Sequence, residues 1–115
     1  MRAIVTAILA IVATVMFAMP AYAGDVAAGK QVFTKNCAIC HVGGSNAVSS
    51  SQTLKQEALE DYLFNYGSEH NVDAIIYQVA NGRGAMPSFQ GRISNKAIAD
   101  VAAYVKSQSE KGWPE

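Results

Sequence analysis

Cys37-Ala38-Ile39-Cys40-His41 is the stretch that decides how the rest of this chain reads. Two cysteines three positions apart lie within one helical turn, so both thiols can add to the two vinyl groups along one edge of a haem. The adjacent His41 can then reach the iron. Three other readings compete. A zinc site needs two further ligands, yet the sequence has no third cysteine and His70 is its only other histidine. A thioredoxin-like pair should follow a strand in an α/β pattern, whereas the residues before this motif read as a helix. Covalent haem is the favoured reading, with a redox pair or a structural disulfide as the alternatives.

The chain has 115 residues, 50% hydrophobic and 16% charged, enough for one small domain. Its apolar residues crowd the start, where only Arg2, Thr6, Thr14 and Pro20 interrupt residues 1–23. Arg2, the uncharged run Ala3 to Met19 and the small residues of Ala21-Tyr22-Ala23 form the pattern of a secretory signal cleaved after Ala23. An uncleaved anchor competes, because this run of 17 reaches the lower limit for crossing a bilayer. The small-x-small site beside Pro20 favours cleavage. Residues 24–115 are then the expected domain, working across a membrane in a lumenal or periplasmic space. Nine basic residues balance nine acidic ones, and without a basic stripe nucleic acid is excluded as a partner. No glycine-rich strand-to-helix fingerprint is present, which excludes a Rossmann-type enzyme. A chain this short buries a thin core by itself, and a large apolar macrocycle would supply the missing interior.

The pattern beyond residue 23 is helical throughout, with no strand alternation. Asp25 is placed to cap a helix over about Val26 to Lys35, with Gly29 and Phe33 four apart on one face. Gly43-Gly44 through Ser51 reads as an unorganised polar loop. Leu54, Ala58, Leu59, Tyr62 and Leu63 recur at helical spacing, and Val72 to Ala80 form another helix stopping at Asn81-Gly82. Ser94 caps the last helix, where Ile98, Val101, Ala102 and Val105 follow i, i+3, i+4, i+7.

If the iron is held by His41 on one side, the other side needs a second ligand. Met86 is the only methionine left once the leader is removed, and His70 is the rival. Met86 stands in Gly84-Ala85-Met86-Pro87, where small neighbours allow close approach to a ring and Pro87 restricts the residue before it. His70, between Glu69 and Asn71, reads as a solvated loop residue. A neutral thioether favours Fe(II), so a His/Met pair raises the potential and suits a carrier of single electrons. A six-coordinate iron leaves no position for substrate, which argues against an enzyme; a haem-based sensor or peroxidase-like protein would need that position open.

The stretches Gly29-Lys30-Gln31-Val32-Phe33, Asn36 to His41, Gly43-Gly44, Thr53-Leu54-Lys55, Tyr77-Gln78-Val79-Ala80-Asn81-Gly82, Ala85-Met86-Pro87 and Val101-Ala102-Ala103-Tyr104-Val105 through Lys111-Gly112-Trp113 resemble cytochrome c6. That family is the class I c-type cytochrome of cyanobacteria and algal plastids. The resemblance spans nearly all of 24–115. It implies an all-α class I cytochrome c fold, four or so helices around one covalent haem c. It makes Cys37 and Cys40 the thioether attachments, and His41 and Met86 the axial ligands. It places Gln78 in the haem environment, where its amide helps set the potential, and associates Arg92 with docking. The implied partners are the cytochrome b6f complex, through cytochrome f, as donor and photosystem I as acceptor, with cytochrome c oxidase a second acceptor. The implied setting is a monomer in the thylakoid lumen or periplasm, soluble after signal cleavage. The resemblance also implies that Gly29 and Phe33 meet Val101 and Tyr104 where the first and last helices cross. The segment from Tyr62 to His70, with Phe64 and Tyr66, departs from the family's usual pattern, as does Gln90 where a glycine is common.

Overall fold

A computed structural model describes residues 24–114; the expected signal segment, 1–23, lies outside the described residues. Five α-helices follow one another: α1 (Val26–Asn36), α2 (Ala38–His41), α3 (Gln56–Tyr62), α4 (Val72–Asn81) and α5 (Asn95–Lys111), with a 3-10 turn over Val42–Gly44. The described residues contain no sheet, only isolated bridges at Arg83–Met86 and Gln90–Ile93. None of their helices is long and apolar enough to cross a membrane.

The ends of the helices follow from local chemistry. The Asp25 carboxylate accepts from Ala28 N at 3.1 Å, and the Ser94 hydroxyl from Ala97 N at 3.0 Å. Both satisfy backbone donors that a helix start leaves free. The Asn71 side chain caps α4 in the same way. At the far end of α5, Gly112 turns left-handed (φ 80). Its N–H and that of Trp113 fold back onto the carbonyls of Ser109 and Gln108, a Schellman-type close. This reversal throws the Trp113 indole back over the body of the protein.

The first and last helices cross at Gly29, as the resemblance implied. A β-carbon there would lie 2.0 Å from the Asp100 carbonyl oxygen, so only glycine lets the two backbones meet. The Phe33 ring then packs at a tilt against Tyr104 and Trp113, with centroids 5.3 Å and 5.4 Å away. A buried carboxylate secures the same corner: Asp100, 4% exposed, accepts from Asp25 N and from Lys96 Nζ, both at 2.8 Å. All four apolar positions read from the α5 pattern are buried.

Three details differ from the sequence reading. The Leu54–Leu63 pattern yields a shorter helix, because Lys55 and Leu63 are extended and bracket α3. The loop after the 3-10 turn is organised after all: Asn46 donates to Gln52 O and accepts from Val48 N and Ser49 N. His70 lies in a loop, as read, but its side chain is only 16% exposed and is not freely solvated. Its ring is packed on the fully buried Tyr66 and held between Glu60 and Glu110. Those partners lie 10 and 40 positions away, out of reach of any local pattern.

Candidate haem site

The Cys37–His41 motif straddles the junction of two helices. Cys37 closes α1, donating its N–H to Phe33 O at 2.9 Å, and opens α2. The short α2 carries Cys40 and His41 round one turn, and both cysteines are half-buried. The His41 Nδ1 lies 2.8 Å from the Ser45 carbonyl. A carbonyl can only accept, so Nδ1 carries the proton and Nε2 keeps its lone pair for a metal.

Met86 comes from a tight turn built on α4's end. Arg83 N donates to Met86 O at 3.0 Å and Met86 N to Arg83 O at 2.9 Å. Gly82 (φ 70) makes the fold-back possible, since a β-carbon there would stand 2.6 Å from Met86 O. Gln78, one turn earlier on α4, points its amide at the sulfur, with Nε2 3.9 Å from Sδ. An exposed polar helix residue would make no such contact.

One cavity of about 440 Å³ is lined by Cys37, Cys40, His41, Gln78 and Met86 together with core residues such as Leu59 and Val101. Its size falls within the usual range of cofactor pockets, about 300–1,000 Å³. The structure therefore brings five of the residues named from sequence to one place. Arg92, the sixth, is exposed and lies outside that lining. The basic residue that does line the cavity is Arg83, together with polar Asn46, Ser49 and Gln52. Sequence reasoning passed these over, although an arginine beside the Gly-Ala-Met-Pro turn was a visible signal. Burial pushes the Cys37 thiol up to about 11, the reverse of the lowered value that an attacking thioredoxin-like cysteine needs. The donor set of two thiols, an imidazole and a thioether around an apolar cavity fits a covalent haem.

Comparison with known proteins agrees with this geometry. A family model described as cytochrome C oxidase, cbb3-type, subunit III matches residues 24–105. The chain is 51% identical to the cytochrome c6 of a Picosynechococcus species, covering 96% of this chain and 97% of that one. It is 53% identical to the cytochrome c6 of Limnospira maxima over 78% of this chain and all of that protein. The chain belongs to the cytochrome c6 family. The crystal structure of cytochrome c6 from the diatom Phaeodactylum tricornutum superposes with a TM-score of 0.74 at 50% identity, covering 78% of this chain and 100% of that one. The fold is thus that of a class I cytochrome c, as expected. Membership of the cytochrome c6 family makes the chain a haem electron carrier of photosynthesis with one covalently bound haem c.

Proposed function

We propose that this member of the cytochrome c6 family carries single electrons from the cytochrome b6f complex, through cytochrome f, to photosystem I, in a thylakoid lumen or periplasm and without enzymatic activity of its own. The observation that carries the reading is the convergence of Cys37, Cys40, His41 and Met86 on one cavity. Cys37 and Cys40 would hold the haem through thioether links, and His41 Nε2 and Met86 Sδ would ligate its iron. The bound haem supplies a one-electron Fe(III)/Fe(II) couple.

The chain's own residues set the terms of that couple. The Ser45 carbonyl fixes the His41 tautomer and ring orientation. The paired backbone bonds of the Arg83–Met86 turn restrain the segment that carries the thioether. The Gln78 amide directs a weak donor at the sulfur and so tunes the potential. Apolar side chains left in solvent, Ile39 within the motif at 89% and Val42 just after it at 67%, give a dry, low-specificity contact. Fast release calls for a small partner interface, under about 1,200 Å² in total. With charge nearly balanced, steering falls to local groups, of which Arg92 is our candidate. Donation to a terminal oxidase is the second reading, favoured by the match to a model described for an oxidase subunit.

A reduced-minus-oxidised spectrum of the protein matured with haem-attachment machinery tests the site. Reading and site agree if c-type bands appear together with the weak long-wavelength sulfur-to-iron band of the ferric form. Haem without that band removes Met86 from the iron. Stopped-flow rates with isolated cytochrome f, photosystem I and oxidase test the route, and rapid oxidation by the oxidase alone would reverse the order of the two readings.

A further inference from the structure

His70 lies outside the haem cavity, yet it is tied on both sides. Its Nε2 stands 2.7 Å from Glu60 Oε1 on α3, and its Nδ1 3.0 Å from Glu110 Oε2 in the last turn of α5. Both partners are acceptors only, whereas a neutral imidazole has a single N–H to give. The neutral ring would leave one carboxylate facing a lone pair. Only the imidazolium satisfies both contacts. We propose that His70 is a proton-operated clasp that, when charged, draws the 63–71 loop and α3 onto the end of α5.

The surroundings support such a device. The ring is 16% exposed in its side chain and lies parallel to Tyr66 at 5.4 Å, with 14° between planes. The loop turns through Asn65 (φ 65) and His70 (φ 55) in the left-handed region, which these two residue types adopt more readily than most non-glycine residues. The charged groups facing the ring are Glu60 from α3 and Glu110 from α5. Lys106, also on α5, shares the same Glu110 oxygen at 2.9 Å. Within the loop, Tyr66 lies under the ring and Glu69 turns its carboxylate toward Gly67. With His70 charged, two cations answer the Glu60 and Glu110 carboxylates; with it neutral, one does. Hydrogen bonds to Glu110 and Glu60 raise the His70 value, and those from Lys106 and His70 lower that of Glu110. The clasp therefore contributes in full below the ordinary histidine value of about 6.5 and is lost as pH rises through the higher folded value. Tyr62 and Leu63, at the end of α3, line the haem cavity, so the clasp stiffens one wall of the site as the compartment acidifies.

The test uses the haem-loaded ferrous protein. With His41 on iron, His70 is the imidazole free to titrate, and its ring protons are followed by NMR from pH 5.5 to 8 alongside thermal midpoints. The expected result is a His70 midpoint above the ordinary value, with thermal stability falling as pH rises through it. Glu60→Gln and Glu110→Gln should each bring the midpoint down, and His70→Gln should flatten the stability profile. A His70 midpoint at or below the ordinary value overturns the proposal. So does a His70→Gln profile that falls as steeply as the parent's. If His70→Gln does not fold, an unchanged midpoint in both glutamine variants overturns it as well.

Discussion

Replacing Gly29 with alanine sets two effects of opposite sign against each other. In an exposed helix the change stabilises by about 1 kcal/mol. At this position the new β-carbon would stand 2.0 Å from the Asp100 carbonyl oxygen, 2.6 Å from its carbon and 2.8 Å from the Tyr104 β-carbon. Non-bonded atoms need about 3.5 Å, so α1 and α5 must separate by roughly 1–1.5 Å at the crossing. Two of the three obstacles are backbone and cannot rotate away. Overpacking of this kind costs about 1–3 kcal/mol, and loosening the aromatic pairs of Phe33 adds about 0.5–1.5 kcal/mol. The clash outweighs the propensity gain, leaving a net loss of about 2 kcal/mol. In a domain of this size that lowers the thermal midpoint by about 8–16 °C. Far-UV circular dichroism of haem-loaded parent and Gly29→Ala proteins during heating measures it. A midpoint equal to or above the parent's would show that the crossing has room to spare and would refute the reasoning.

Three further outcomes are expected. Met86→Ala keeps haem covalently attached but lowers the potential and opens the iron to added imidazole or cyanide, and a native ferric spectrum in that variant would remove Met86 from the ligand set. Gln78→Val removes the amide 3.9 Å from the sulfur and lowers the potential in a redox titration while leaving the ligand bands in place. For Asp100, the hydrogen bonds from Lys96 and Asp25 hold the carboxyl below its ordinary value, so its contribution is complete above about 3.9 and disappears as pH falls through the lower folded value. Asp100→Asn should therefore be less stable than the parent at pH 7 and show a flatter decline in acid, which thermal midpoints between pH 2 and 7 will reveal.

What the sequence made legible was what depends on neighbours in the chain. Asp25 and Ser94 cap the residues just after them, and the α5 apolar spacing is a property of one helix. The thiols and the imidazole of the site are contiguous, and Met86 follows by elimination from a short roster of ligands. What escaped was set by distant partners or by backbone. The Gly43–Ser51 loop looked shapeless because its order comes from Asn46 bonding along the loop, from backbone bonds such as Ala47 N to Cys40 O and Leu54 N to Gly44 O, and from the distant Trp113 ring seated against Gly44. The carbonyl that orients His41 carries no side-chain signal at all. His70 was misread because nothing beside it in sequence announces Glu60 or Glu110.

The crossing of α1 and α5 also bears on the order in which this molecule can be put together. Asp25 is bonded to a residue 75 positions downstream, and Leu54 accepts from the Trp113 indole 59 positions on. Closing so wide a loop carries an entropic cost that rises with its length, and distant pairings form slowly. The cysteine motif, by contrast, emerges directly behind α1, long before α5 exists to pack against it. Synthesis from the N-terminus thus makes both thiols before α5, whose Val101 and Val105 line the same cavity, so the wall that closes over the motif is the last to be made.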